Sequence, residues 1–184
     1  MNMIEETTLD LRHFPKIELH AHLNGSIREA TLFDLAKERS IQLNDNFFNT
    51  DSSGDPEAMG ENIDGPAMVY NKRHRSLAEC FDIFAEIGKV IVDLDAIQRI
   101  TREALEDFAK ESVAYLELRS TPKRLLPTRR PCDETFSLAS VPVEELATKR
   151  QYCEVVVNTL IEFRKEEEER YAKELEQAWK SEGA

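Results

Sequence analysis

An α/β fold built on parallel strands is what this 184-residue sequence predicts, and three observations predict it. Two stretches, Ile17 to Leu23 and Val113 to Arg119, alternate polar and apolar residues with a period of two. Such alternation sends successive side chains to opposite faces of a strand. In the first, Glu18, His20, His22 and Asn24 share one parity and Ile17, Leu19, Ala21 and Leu23 the other. In the second, Glu117 and Arg119 oppose Leu116 and Leu118. Third, stretches of helical periodicity separate the strands, and parallel neighbours need a crossover of that length. A solvent-facing antiparallel edge would show the same alternation; the intervening helices favour the parallel arrangement.

Composition bounds the rest. A chain that is 41% hydrophobic and 33% charged suits one modest globular domain. Its 36 acidic residues against 24 basic ones give a net charge of −12, which argues against nucleic acid or an anionic membrane as a nonspecific partner. Binding of a single nucleotide stays open. Met1 to Leu11 is acidic and mixed, with no basic-then-apolar leader, and no apolar run approaches 18 residues, so the expectation is a soluble, cytoplasmic protein. Cys80, Cys132 and Cys153 are odd in number and widely spaced, which predicts buried thiols and no disulfide framework.

Taken in order, the elements begin with the strand of Ile17 to Leu23, broken by Gly25-Ser26, where Ser26 is a candidate N-cap. Ala30 to Arg39 reads as an amphipathic helix whose Leu32, Leu35 and Ala36 would pack on the apolar parity of the strand. Residues 44–75 lose all periodicity and read as a long loop, disordered over much of Asp51 to Asp64. Ser76 with Glu79 forms a capping-box pattern before a helix to about Val92 that carries Leu77, Cys80, Phe81, Phe84 and Ile87. A second helix, Ala96 to Lys110, sets Ile97, Ile100, Ala104, Leu105 and Phe108 on the side that would cover the sheet. After the second strand, Leu125 to Pro142 is Pro-rich and unpatterned. Tyr152, Val155, Val156, Leu160 and Phe163 then mark another helix, which closes a domain of residues 1–163. Residues 164–184 form a charged helical tail with Glu166 to Arg170 and Glu169 to Lys173 as expected pairs, and with Tyr171, Leu175 and Trp179 as an apolar remnant.

Two places carry chemistry. Imidazoles at i and i+2 of a strand converge on one point, and imidazole nitrogen is a good ligand for zinc and similar ions, so His20 and His22 are candidate metal ligands. A chance pair on an exposed strand face has the same spacing. Ser120-Thr121-Pro122-Lys123, directly after the second strand, gathers a hydroxyl, backbone amides and a cation, a set that suits a phosphate as well as it suits a solvated turn. His13 and His74 stand in no metal-ligand context and read as surface residues.

Pro15-Lys16-Ile17-Glu18-Leu19-His20-Ala21-His22-Leu23-Asn24-Gly25-Ser26 closely resembles the first-strand motif of the adenosine and AMP deaminase superfamily, with Asn24 like the branch that acts on N6-methyl-AMP. Arg119-Ser120-Thr121-Pro122-Lys123-Arg124 resembles the nucleotide-contacting segment of that branch, and Ala147 to Tyr152 the start of its next helix; beyond Arg164 the likeness ends. The resemblance implies an incomplete β/α (TIM) barrel of the metal-dependent hydrolases, since a complete one takes about 250 residues. It implies one zinc ion on His20 and His22, and a purine nucleoside monophosphate against His22, Asn24, Ser120, Thr121, Pro122 and Lys123. The reaction implied is hydrolytic removal of the 6-(methyl)amino group of N6-methyl-AMP to give IMP. The remaining ligands, the proton-handling Glu and a water-activating His are expected beyond the chain end, so no catalytic residue is assigned and the chain alone is expected to be inactive. The alternative is a noncatalytic fragment or a helical interaction partner. Two further expectations follow: an open sheet edge prone to self-association, and altered substrate contact at Gly88, where related sequences often carry His.

Overall fold

Lys16–His22 forms β1 and Val113–Arg119 forms β2, and the two pair in parallel, as their alternation and the helices between them predict. The computed structural model describes residues 14–43, 77–130 and 135–182. Between and after the strands come α1 (Glu29–Glu38), α2 (Leu77–Val90), α3 (Leu94–Lys110) and α4 (Lys149–Glu182). Short 3-10 turns lie at Leu23–Gly25, Leu138–Ser140 and Val143–Glu145. The loop read over residues 44–75, the Ser76 cap, His13, His74, Cys132 and the Cys80 side chain lie outside the described residues.

The strict parity of β1 does not survive folding. A register shift between Glu18 and Ala21 puts one extra residue on β1, so Ile17 stands level with Tyr115 and Glu18 level with Leu116, while Ala21 and His22 align with Leu118 and Arg119. A bulge of this kind reverses which side chains share a face on either side of it. Ala21 is accordingly buried, Glu18 and Leu116 are half-buried, and Ile17 and Leu19 are 69% and 54% exposed. Of the apolar parity predicted to meet α1, Leu23 joins its core, while Ile17 and Leu19 do not; α1 also packs against α2.

Leu32, Leu35 and Ala36 of α1 join Ile83, Ile87 and Val90 of α2 and Ala96, Ile97, Ile100 and Ala104 of α3 in one core, with Leu23 and Ile27 beneath the end of β1. The buried stripe of α2 is 83, 87 and 90, at helical spacing. Leu77, Phe81 and Phe84, predicted as its apolar side, are exposed. The start of the Pro-rich stretch is packed into the fold. Leu125 and Leu126 are buried, and Leu126 exchanges backbone hydrogen bonds with the 92–94 segment, donating to the Val92 carbonyl at 2.8 Å and accepting from Leu94 N–H at 3.0 Å.

Ser26 does not cap α1; its hydroxyl donates to the His22 carbonyl at 3.0 Å, and Arg28 occupies the cap position without a side-chain bond. Arg28 instead grips the far end of α3. Its Nε and Nη2 donate to the two carboxylate oxygens of buried Asp107 at 2.8 and 2.7 Å, and Nη2 also reaches Glu106 at 3.0 Å. The Asp107 hydrogen bond holds the guanidinium above its ordinary value, against the opposing pull of burial. Arg28→Ala is expected to cost about 1.5–3 kcal/mol in urea unfolding, the range for hydrogen bonds to charged groups. Arg28→Lys should recover little of it, because an ammonium cannot make both bonds at once.

The helix read as two pieces is one. α4 runs without a break from Lys149 to Glu182, across the 163/164 boundary. Glu166 does not pair with Arg170 but accepts from Arg102 of α3, which holds its carboxyl below the ordinary range; Arg170 pairs with Glu167 and Glu174. Cys153, expected to be buried, is exposed on this helix. No helix among the described residues is long and apolar enough to cross a membrane.

Candidate metal and nucleotide site

His20 and His22 sit at the end of β1, both exposed, with ring centroids 5.0 Å apart and planes tilted by 31°. An imidazole bound through nitrogen at about 2.0–2.1 Å places its centroid roughly 3 Å from zinc, so two rings on one tetrahedral ion stand about 5 Å apart. The observed spacing fits two ligands of a single ion. Local bonds shape the backbone around the pair: the Glu18 carboxylate accepts from His20 N–H at 2.8 Å, and Ser26 ties down the His22 carbonyl. Two imidazoles are half of a zinc ligand set, and no group of three or more His, Cys, Asp or Glu able to hold a metal occurs among the described residues.

Beside the pair, Arg119 of β2 is level with His22 and donates to the Leu19 carbonyl at 3.3 Å, with Glu117 3.6 Å from its guanidinium. The chain then passes into the polar loop. The Ser120 hydroxyl lies 2.6 Å from the Tyr152 hydroxyl of α4. Burial pushes the Tyr152 phenol above its ordinary value, and the Ser120 hydrogen bond opposes that rise. Asn24 and Lys123 line one small cavity, together with Gly88, Leu125 and Tyr152. The Asn24 side-chain oxygen is buried there without a hydrogen-bond partner among the described residues. A Cβ at Gly88 would meet nothing within 4 Å, so the missing side chain leaves open space at the cavity wall.

The sequence-predicted residues are only partly brought together. His20 and His22 adjoin each other, and Asn24 and Lys123 share a cavity; Ser120 is drawn toward α4, while Thr121 is exposed and Pro122 half-buried. Tyr152 went unassigned to the site because its helical spacing marks it as core. The signal available was its hydroxyl, since a buried phenol needs a hydrogen-bond partner.

Parallel strands, one ending in an imidazole pair and the other leading into a hydroxyl-and-cation loop, define an α/β protein. The chain belongs to the adenosine deaminase family of hydrolases, whose profile matches residues 15–182. The match continues past Arg164, where the motif likeness ends. The chain is 44% identical over 117 residues to the N6-mAMP deaminase of Arabidopsis thaliana and 34% identical over 111 residues to the N6-methyl-AMP deaminase of Homo sapiens. Those segments cover 62% and 60% of this chain but only 28% and 26% of the relatives. Among solved structures, the Arabidopsis N6-mAMP deaminase superimposes with a TM-score of 0.52 at 37% identity, over 82% of this chain and 35% of that one. Structures of Arabidopsis ADAL complexed with GMP and with IMP match with the same score. The chain spans about a third or less of the length of these relatives.

Proposed function

We propose that this chain carries the opening strands of the β/α barrel of a zinc-dependent N6-methyl-AMP deaminase, and with them half of the metal site and part of the nucleotide site. The observation that carries the reading is the imidazole spacing of 5.0 Å at the end of a strand whose parallel neighbour leads into the Ser120 to Lys123 loop. His20 and His22 would hold the zinc, which when bound makes hydroxide available near neutral pH. Lys123, with the hydroxyls and amides of Ser120 and Thr121 and the fixed turn at Pro122, would hold the 5′-phosphate. Asn24, with an acceptor oxygen left unpartnered, would take a hydroxyl of the nucleotide; His22 would touch substrate as well as metal. The completed site would remove methylamine from N6-methyl-AMP by hydrolysis and leave IMP, which agrees with the names of the relatives.

By itself the chain is proposed to be noncatalytic. Its four histidines are His13, His20, His22 and His74, and none is followed by Glu three residues on. Zinc titration tests the metal half: the 184-residue chain should bind weakly, and His20→Ala with His22→Ala should abolish binding. Stoichiometric zinc kept by that double variant would move the ligands elsewhere. For the nucleotide half, calorimetry should show N6-methyl-AMP binding ahead of N6-methyladenosine. Lys123→Ala should reduce that preference about tenfold, in line with one lost hydrogen bond to a charged group. An unchanged preference would remove Lys123 from the phosphate site.

A further inference from the structure

α4 packs on α3 with one face of its first half and leaves the opposite face bare; from Glu168 on it is exposed on every side. On the packed side Tyr152 and Thr159 are buried, and Arg102 lies 5.1 Å over the Phe163 ring. The opposite side carries Val157, Ile161, Arg164, Glu168, Tyr171 and Leu175, at successive spacings of 4, 3, 4, 3 and 4 residues. That is the seam spacing of a coiled coil. Its four apolar members are between 47% and 63% exposed, which leaves an apolar stripe with no neighbour among the described residues.

The order of this stripe is palindromic about residue 166. When a second copy is turned end for end at that point, Val157 faces Leu175, Ile161 faces Tyr171 and Arg164 faces Glu168. We infer that the outer face of α4 is a dimer interface, in which two copies of this chain pair their α4 helices antiparallel about residue 166.

Charge decides both the partner and the direction. Within one copy Arg164 Nε donates to Glu168 at 2.7 Å. In the antiparallel pair each Arg164 also meets the Glu168 of the second copy, so four charges alternate at the centre between two apolar ends. Parallel pairing would set Arg164 against Arg164 and Glu168 against Glu168, which is repulsive. The area is adequate. The exposed seam residues together with Trp179 offer on the order of 600 Å² per copy, against about 800 Å² per partner in a standard interface, and the polar flanks supply the rest. Lys165 and Glu167 each approach their own counterpart across the axis, at the rim, where salt screens like charges.

Sedimentation of the full 184-residue chain over a range of concentrations tests this. A reversible dimer is expected, and Trp179, the one tryptophan of the sequence and 83% exposed in the single chain, should shift its emission to the blue as the dimer forms. Leu175→Lys and Arg164→Glu should each weaken association at least tenfold with helicity by circular dichroism unchanged. Arg164→Glu mixed with Glu168→Arg should form a heterodimer where neither variant self-pairs, because each puts unlike charges opposite the other. A chain that stays monomeric at all concentrations overturns the inference. So does a dimer indifferent to both changes, which would place the contact at the edge of the β1–β2 sheet, and so does a mixture that fails to pair.

Discussion

Asp93→Ala should lower the stability of this chain by about 3–5 kcal/mol, the cost of leaving one member of a buried ion pair without the other. Asp93 and Arg39 are both fully buried. One Asp93 oxygen accepts from Arg39 Nη2, the other from Ala96 N–H at 2.7 Å, and Arg39 Nη1 donates to the Leu35 carbonyl at 3.3 Å. A single carboxylate thus neutralises a core guanidinium, caps α3 and joins α1 to the start of α3. Alanine removes the anion and the cap while the cation stays where water cannot reach it, and Arg39 Nε already lacks a partner among the described residues. Since a domain has only about 5–15 kcal/mol in hand, the loss is a large share of the total. Urea unfolding followed at the helix signal measures it. Arg39→Met with Asp93→Ser removes both charges and keeps a capping oxygen, so it should be several kcal/mol more stable than Asp93→Ala. Equal stability of the two would show that the ion pair is not what holds this junction.

Purified chain should convert N6-methyl-AMP no faster than buffer does. Proton handling in a site of this kind supplies about 10²- to 10⁴-fold, and a water held by two imidazoles has nothing to position it further. Joining the chain to the downstream part of a relative, which would supply the remaining ligands, the proton-handling Glu and the water-activating His, should restore at least that factor. His22→Ala in the joined protein should remove it again. If the 184-residue chain alone turns over N6-methyl-AMP and His22→Ala abolishes the activity, the incomplete-site reading is wrong and the missing ligands come from a second polypeptide.

What could be read from the sequence was what has a period or a motif. The strands are legible because the sequence of each alternates with a period of two, and α3 because its apolar stripe is unbroken from Ile97 to Leu105. The helix starts at Leu94, two residues before the Ala96 that periodicity suggests, because the capping bond of Asp93 has no signal in the local pattern. The bulge in β1 has no composition signal, so Ile17 was placed with the covered side chains although it is exposed. Nothing local marks Arg39 as buried; burial of an arginine depends on a carboxylate 54 positions away, which local pattern cannot reveal. Leu125 and Leu126 were invisible for a related reason, since an irregular segment buried through backbone bonding to residues 92–94 shows no periodicity. In the site, the pairing of the imidazoles follows from strand spacing alone. The meeting of Asn24 with Lys123, and of Ser120 with Tyr152, depends on how β2 and α4 fold back.

The pairing of Lys16 with Val113 and of His22 with Arg119 has a consequence in time. The hydrogen-bonding partner of β1 leaves the ribosome only after nearly a hundred further residues. At about 5–20 residues per second, β1 waits roughly ten seconds with its edge unpaired. Closing so long a loop is also slow compared with forming α2 and α3, whose contacts are local. Nascent chains are therefore most open to mispairing through Ile17 and Leu19 in that interval. Synthesis that slows between α3 and β2 would lengthen the exposure, and binding of a holdase to residues 15–23 would shorten its effect.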